Sequence, residues 1–384
     1  MKKIFHISGT TLPGGGPEHI FQLLRKLNQN EWKVIICTSN DGSYWLKFNS
    51  LGAKTYNLSL RILSLKTAFK LFFILRKEKP DLIHTHGKGP GLYGRIISSF
   101  LNIPTVHTYH GFHYEDLSTI TKWLHLLLES FLCLLTDHHI FVSAGEKNRT
   151  RILKFLDEEN STVIHNGVDH EYLRNPPITR DTALKLSGVE NWEKNKILGT
   201  IARLSPEKGI LCLLAAFTKA IKETPDLRLI IIGGYPEEHY DYYLKVKSLI
   251  DNENLTDYVR ILGYRQDTVK ILKCFDFYIS SSLSEGLPIS MLEAFASGIP
   301  TIATEIAGNK DILCDLTFGV LAEPGSPESL YKGIIKMVHL TQNERDFFSR
   351  NGYNRIKTHF SIDEMVCKTD LLYKKIKKKR NIKN

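Results

Sequence analysis

The sequence predicts an α/β protein of two doubly wound, parallel-sheet domains, and three observations carry that prediction. Short continuous apolar runs alternate with longer amphipathic segments along almost the whole chain. The alternation pauses at a proline-containing polar stretch near the middle and then restarts. The length of 384 residues, with 42% hydrophobic and 24% charged side chains, is enough for two cores at roughly 100–200 residues per domain. Continuous apolar strands separated by helices are buried on both faces, as in a parallel sheet covered by helices on both sides.

In the first half the strands are expected at Lys3–Ser8, Lys33–Thr38, Asp81–His86, Pro104–Tyr109, His138–Ser143 and Thr162–His165. Between them, helical periodicity marks His19–Asn28, Lys66–Lys77, Gly91–Phe100, Thr119–Leu135 and Gly145–Leu156. Asn175-Pro176-Pro177 breaks both periodicities and opens a polar stretch to Asn195. The pattern resumes with strands at Ile197–Ala202, Arg228–Ile232, Val259–Leu262, Phe275–Ser280, Thr301–Ala303 and Gly319–Leu321, with helices filling most of the gaps. The expected domains are therefore 1–174 and 196–360, joined by a linker over 175–195. A C-terminal helix and basic tail over 361–384 would be free to pack back on the first domain. Two such sheets would turn their carboxyl ends toward a common cleft, where open α/β sheets bind ligands.

The formal charge of +10 is concentrated at one end. Lys374, Lys375, Lys377, Lys378, Lys379, Arg380 and Lys383 fall in the last eleven residues, and the remaining 44 basic residues face 41 acids. A body so nearly balanced argues against a nucleic-acid-binding surface, and leaves the tail either solvated or drawn to anionic lipid. The six cysteines show no Cys-x-x-Cys spacing and read as reduced core residues. Ser8 and Gly9 cut short the apolar run after Met1-Lys2-Lys3, so no secretory signal is expected and the protein is placed in the cytoplasm. The most apolar window, Trp123–Leu135, has thirteen residues and contains His125, Glu129 and Ser130, which suits a buried or interfacial helix rather than a membrane crossing.

Four constellations can carry chemistry. Gly14-Gly15-Gly16-Pro17-Glu18 lies between the first strand and the first helix, with Pro17 suited to the first helical position and the helix amides free to hold a phosphate. Arg203 and Lys208 lie five residues apart at the carboxyl end of a strand, where a planar fork and a point charge could neutralise a diphosphate. Glu285 stands on the loop Ser284-Glu285-Gly286-Leu287-Pro288-Ile289, and Glu293 about one turn inside the helix that follows. Two carboxylates flanking a helix N-terminus suit a polyhydroxyl compound joined to a phosphate: the amides take the anion and the acids take the hydroxyls. Finally, His107-Thr108-Tyr109-His110-Gly111-Phe112-His113 ends a strand, as His84 and His86 end the one before it. The alternation of His84 and His86 is that of strand neighbours, no acid-rich ligand set accompanies them, and the chain has no Asp-x-Asp motif, so no metal is expected.

With the glycine loop at 14–16, His110-Gly111, His165-Asn166-Gly167-Val168-Asp169, Arg203 with Lys208, and Glu285 with Glu293 in that order, the chain resembles the family 4 retaining glycosyltransferases of GT-B fold over about Met1–Phe360. The stretches HTHGKGPGLYGR and HTYHGFHYE are similar to bacterial enzymes that build O-antigen and capsule. The resemblance implies two Rossmann-like domains. It also implies transfer of a hexose or N-acetylhexosamine from a nucleotide diphosphate sugar, expected to be a UDP-sugar, to a glycan or polyprenyl-diphosphate-linked acceptor. By the same resemblance Arg203 and Lys208 would grip the diphosphate and Glu293 the ribose. Glu285 would meet sugar hydroxyls, helped by Gly286, Ile289 and backbone amides at Leu287 and Pro288. Gly263 and Tyr264 would lie by the base, Gly15 and Gly16 by the phosphates and acceptor, and His110 by the sugar at the reaction centre. No cofactor or metal is implied. The sequence departs from the family at Gly16-Pro17-Glu18 and at Ala307-Gly308-Asn309-Lys310-Asp311, where a second glycine and a glutamate are common. The alternatives are a nucleotide-sugar epimerase of the same fold and a non-catalytic protein binding through its basic tail. Lys66, Lys70 and Lys77, with Phe69, Phe72 and Phe73 nearby, add a possible peripheral contact with an anionic membrane, and a helix that merely covers its domain fits the same residues.

Overall fold

The computed structural model describes residues 1–383 apart from 113 and 115–117, with backbone only for 380–383. Contacts divide the chain into two compact units, Met1–Gly167 together with the chain from Ile362 onward, and Val168–Ser361.

The first unit runs β1 (Lys2–Ile7), α1 (Gly15–Lys26), β2 (Trp32–Thr38), α2 (Tyr44–Ser50), β3 (Lys54–Asn57), α3 (Leu65–Glu78), β4 (Leu82–His86), α4 (Lys88–Phe100), β5 (Thr105–Tyr109), α5 (Thr119–Leu134), β6 (His138–Phe141), α6 (Ala144–Arg149) and β7 (Ser161–Val163). The second runs α7 (His170–Arg174), α8 (Arg180–Leu186), β8 (Lys196–Ile201), α9 (Ile210–Glu223), β9 (Leu227–Ile232), α10 (Tyr240–Asn252), β10 (Val259–Ile261), α11 (Thr268–Ile271), β11 (Phe277–Ser280), α12 (Ile289–Ala296), β12 (Thr301–Thr304), α13 (Ala307–Ile312), β13 (Gly319–Ala322), α14 (Pro327–Val338) and α15 (Gln342–His359). A last helix, α16 (Ile362–Lys383), belongs to the first unit.

Both sheets are parallel, with strand orders β3-β2-β1-β4-β5-β6-β7 and β10-β9-β8-β11-β12-β13. The central strands are the buried runs of the sequence: Ile4, Phe5 and Ile7 of β1, and Leu229, Ile230 and Ile231 of β9, are completely buried. Each sheet reverses its strand order once, between β1 and β4 and between β8 and β11. The loops that leave neighbouring strands at such a point diverge and open a crevice at the carboxyl edge.

The C-terminal helix packs back on the first unit as the sequence allows, whereas the unit boundary, the enclosure of the basic residues in that helix and the exposure of two cysteines differ from the sequence expectation. The passage between units falls at Gly167/Val168, and the stretch over 175–195 contains α8, fixed by the Arg180 fork on Asp276 (3.2 and 3.0 Å) and on the Cys274 carbonyl (2.9 Å). The basic tail is the end of α16. Tyr373 and Ile376 are buried in the first unit, Trp32 Nε1 donates to Asp370 at 2.7 Å, and Lys374 and Lys377 pair with Glu31 and Asp81. Of the cysteines, Cys314 and Cys367 are exposed rather than in the core.

Candidate functional site

In the second unit the switch point assembles the charged motifs. The loop after β8 carries Arg203 and Lys208, and the loop after β11 carries Glu285. The two loops are joined along their backbones: Leu283 N donates to Glu207 O at 2.8 Å and Ser281 Oγ to Lys208 O at 2.8 Å. Gly209 permits this approach. Its φ is +64°, and a Cβ there would lie 2.2 Å from Ser281 O, so any side chain would both strain the turn and part the loops. Lys208 Nζ consequently reaches Glu285 Oε1 at 2.5 Å, with both side chains 15% exposed, and Ser282 Oγ donates to the same oxygen at 2.7 Å. Arg203 lies further out and pairs with Glu207 at 3.3 Å.

Glu285 leads into Gly286, Leu287 and Pro288, the last being the N-cap of α12. Ile289 opens the helix, and half-buried Glu293 follows one turn in. Pro288 has no amide hydrogen and cannot donate to a ligand, so the role expected of two backbone amides falls to Leu287 alone. The loop is supported from α13. Gly308 packs so closely that a Cβ would lie 2.4 Å from Gly286 O. Buried Asn309 donates to Thr304 O at 2.9 Å, and the Thr304 hydroxyl donates to Ser282 O at 2.5 Å. The stretch 307–311, where the sequence departs from the family pattern, thus supports the loop from beneath. Gly263 and Tyr264, after β10, join the same edge through a third loop: Leu204 N donates to Gly234 O (2.8 Å) and Gly233 N to Gly263 O (2.9 Å). Burial raises the Tyr264 phenol above its ordinary value.

In the first unit the switch point gathers histidines. α1 begins at Gly15 with Gly14 as N-cap, two residues before the expected start, which puts Pro17 third in the helix. The first turn has no intrahelical use for that amide, so proline fits there as well. Gly15 is exposed, and Gly16 lies by His110, whose Cδ2 is 4.0 Å from the point a Gly16 Cβ would take. His110 Nε2 meets His86 Nδ1 at 3.2 Å, and His86 Nε2 meets His6 Nδ1 at 3.0 Å. Burial lowers His110 and His86 well below the ordinary imidazole range and brings His19 to about 4 and His6 to about 3, so the cluster is neutral at pH 7. His113, in the same sequence motif, lies outside the described residues.

Glu146 escapes a sequence reading. Ser143-Ala144-Gly145-Glu146 has the spacing of a helix-start capping box, and Ser143 Oγ does accept from Glu146 N at 3.0 Å. The carboxylate instead turns inward and accepts from Gly111 N at 2.6 Å and Val142 N at 3.0 Å, pinning the residue after His110. Burial raises Glu146 to about 7, against the lowering effect of the N–H groups of Val142, Gly111 and Phe112. A carboxyl raised in the folded state holds its proton more tightly folded than unfolded. Its contribution to stability is complete below the ordinary carboxylate range and is lost as pH rises through about 7. Glu146→Gln should therefore flatten the stability profile over that window, by on the order of 3 kcal/mol relative to wild type. Urea unfolding of both proteins at pH 4.5–8 reads this, and parallel profiles would show that Glu146 does not titrate there.

The comparisons agree with this geometry. Residues 13–172 match the family described as Glycosyltransferase Family 4, and residues 185–355 match Glycosyl transferases group 1. The chain is 30% identical over 330 residues to the Escherichia coli UDP-Gal:alpha-D-GlcNAc-diphosphoundecaprenol alpha-1,3-galactosyltransferase, covering 83% of this chain and 81% of that one. It is 21% identical over 368 residues to the capsular polysaccharide biosynthesis glycosyltransferase CapM of Staphylococcus aureus, covering 94% and 93%. Anabaena HepE, solved in complex with UDP, superposes with a TM-score of 0.81 at 20% identity, covering 98% of this chain and all of that one. With two parallel-sheet units and a charged switch point in the second, the chain belongs to the family 4 glycosyltransferases and has their GT-B fold.

Proposed function

We propose that the protein transfers a hexose or N-acetylhexosamine from a UDP-sugar, with retention of configuration, to a lipid-linked glycan during surface-polysaccharide assembly. The carrying observation is the meeting of Lys208 and Glu285 beside the N-terminus of α12. One cation and one hydroxyl-binding acid in direct contact, Lys208 Nζ on Glu285 Oε1 at 2.5 Å, match a sugar joined to a phosphate. The UDP-linked donor and lipid-linked acceptor in the name of the E. coli relative, and UDP in the HepE complex, support the choice of nucleotide and acceptor class.

In this proposal Arg203, Lys208 and the amides at the start of α12 stabilise charge on the departing diphosphate. Glu293 holds the ribose, Gly263 and Tyr264 border the base, and Glu285 holds hydroxyls of the sugar. In the first unit Gly15 and Gly16 serve the phosphate and acceptor side, and neutral His110 meets the transferred sugar. The acceptor oxygen forms its bond to the anomeric carbon from the face that the phosphate oxygen leaves, and that phosphate oxygen takes the acceptor proton. Glu285 is engaged by Lys208 and Ser282, which suits it to holding hydroxyls rather than to forming a covalent intermediate. Two protein cations supply the charge that a divalent ion would otherwise supply, so no metal takes part in transfer.

A thermal-shift panel of UDP, GDP and ADP with and without EDTA tests the donor site. UDP at 100 times its Kd adds about 2.7 kcal/mol, or roughly 5–10 °C. The shift should persist in EDTA and vanish in Glu293→Ala. A shift that needs a metal, or that survives Glu293→Ala unchanged, overturns the assignment.

A membrane contact belongs to the same reading. No helix among the described residues is long and apolar enough to cross a bilayer. In the first unit, however, α3 exposes Leu65, Phe69 and Phe73 beside Lys66, Lys70 and Lys77, while Phe72 turns into the core. The lysine-bearing face expected from sequence is present, and α5 extends it with an apolar face of its own. This surface would rest on an anionic leaflet where a lipid-linked acceptor is found.

A further inference from the structure

Sequence order separates His19, His86 and His110, but the fold brings them together, because β1 and β4 are neighbours at the switch point and α1 starts above them. Two trios of histidines each bring one ring nitrogen per residue within 4.8 Å of the other two: His6, His84 and His86, and His19, His86 and His110. The first is already saturated. His84 uses Nδ1 on the Tyr373 hydroxyl and Nε2 on the Thr108 hydroxyl, both at 2.6 Å, and has no lone pair left to give.

The second trio has the opposite character. Asn166 Oδ1 accepts from His19 Nδ1 at 2.9 Å, which fixes the hydrogen on Nδ1 and leaves the lone pair on Nε2. His86 Nε2 can donate to His6 Nδ1 at 3.0 Å, which leaves a lone pair on Nδ1, the nitrogen facing His110 Nε2 at 3.2 Å. Metal-bound histidines are oriented in this way, each outer nitrogen held by an acceptor. Nitrogens of a tetrahedral zinc site, about 2.0–2.1 Å from the ion, stand roughly 3.3 Å apart. The His86–His110 pair already has that spacing, and the His19 ring meets His110 edge-on with centroids 4.9 Å apart. Half-buried His110 and the exposed Gly14 and Gly15 leave the cluster reachable from solvent.

We propose that His19, His86 and His110 bind a transition-metal ion of the zinc type through three imidazoles, with a fourth position left for water, and that the bound ion inhibits transfer by occupying His110. The inhibition rests on the placement of His110 by the transferred sugar; the metal site itself does not. In the proposed mechanism Arg203 and Lys208 take the place of a metal, so the ion would act as an inhibitor and not as a cofactor.

Metal-free full-length protein titrated with Co²⁺ reads the site directly, because tetrahedral Co²⁺ gives intense visible bands that need no donor or acceptor. One equivalent should saturate these bands and Zn²⁺ should abolish them. His19→Asn and His86→Asn should each weaken binding at least 10-fold, and Asn166→Ala, which leaves all three ligands in place, by about 10-fold. An unchanged UDP thermal shift shows that the second unit of each variant is folded, and far-ultraviolet circular dichroism checks the first. Saturable Co²⁺ binding that survives both histidine substitutions, or no tetrahedral spectrum at all, overturns the site. Equimolar Zn²⁺ should cut UDP release at least 10-fold, reversibly with EDTA. If Co²⁺ binds as described but Zn²⁺ leaves turnover intact, the inhibition fails and the role given to His110 fails with it.

Discussion

Lys208→Ala should lower kcat by about 10²–10³ while lowering the melting temperature by only a few degrees. The rate loss follows from what Lys208 faces. Its ammonium lies against Glu285 beside the start of α12, with both side chains only 15% exposed, and removing one preorganised charge-stabilising group from such a site costs about 3–4 kcal/mol of transition-state stabilisation. The stability loss is smaller because Glu285 is not stranded. It keeps the Ser282 hydroxyl at 2.7 Å, and it sits near the positive end of a helix. Lys208→Arg keeps the charge but not the compact ammonium, and should fall between wild type and alanine. Turnover and thermal unfolding measured on the same preparations separate the effects. If the melting temperature of Lys208→Ala fell by more than 10 °C and activity fell only with the folded fraction, Lys208 would be a structural residue and the diphosphate would need another partner.

The legible part of this fold was the part dictated by burial on both faces. Strands such as Ile4–Ile7 and Leu229–Ile232 are continuous apolar runs because nothing in them meets water, and their order with the helices between them determines the class. β3 was not legible. Lys54-Thr55-Tyr56-Asn57 is an edge strand with one neighbour and no fully buried side chain, so it carries neither alternation nor an apolar run. α8 was hidden behind Pro176-Pro177, which mark a turn and not a linker. In the second unit the sequence could single out Lys208, Glu285 and Glu293 as candidates, because each stands at a strand end or helix start. It could not show that Thr304 and Asn309 hold the loop from beneath, since those contacts depend on β12 lying next to β11. The histidines show the same limit more sharply. His84 and His86 read as strand neighbours, and only the reversal of strand order places His6 beside them, with His19 and His110 above.

Trp123→Ser combined with Phe131→Ser should reduce binding to anionic vesicles at least about 100-fold and leave the UDP thermal shift unchanged. The sequence of α5 is apolar enough to be taken for a core helix, and Leu126, Leu132 and Cys133 are indeed buried, but its outward side is apolar as well. Trp123, Leu124, Leu127, Phe131 and Leu134 are exposed, Trp123 at 69%, while Glu129 and Ser130 are buried. The buried acid Glu129 is explained by Arg95 of α4, a completely buried guanidinium whose Nη2 meets both Glu129 oxygens at 3.1 and 3.0 Å. A buried unpaired Arg95 would cost several kcal/mol, so the pair helps fix which side of α5 turns in and leaves Trp123, Leu124, Leu127, Phe131 and Leu134 facing out. α4 packs between α3 and α5, so the apolar residues of both flanking helices lie on one side of the sheet. Eight large apolar side chains exposed on two helices, Leu65, Phe69, Phe73, Trp123, Leu124, Leu127, Phe131 and Leu134, are unusual for faces meant for water. Placing two large aromatics in lipid contributes about 3–6 kcal/mol, which sets the expected loss. The lysines of α3 should add a salt-sensitive part, weakened at 1 M ionic strength, where charges more than about 3 Å apart in water are screened. Flotation measures the binding, and the emission of Trp123 should shift to shorter wavelength on contact. A wild-type protein that stays at the bottom of the gradient at low salt, with no shift in emission, would assign the outward face of α5 to a protein partner instead.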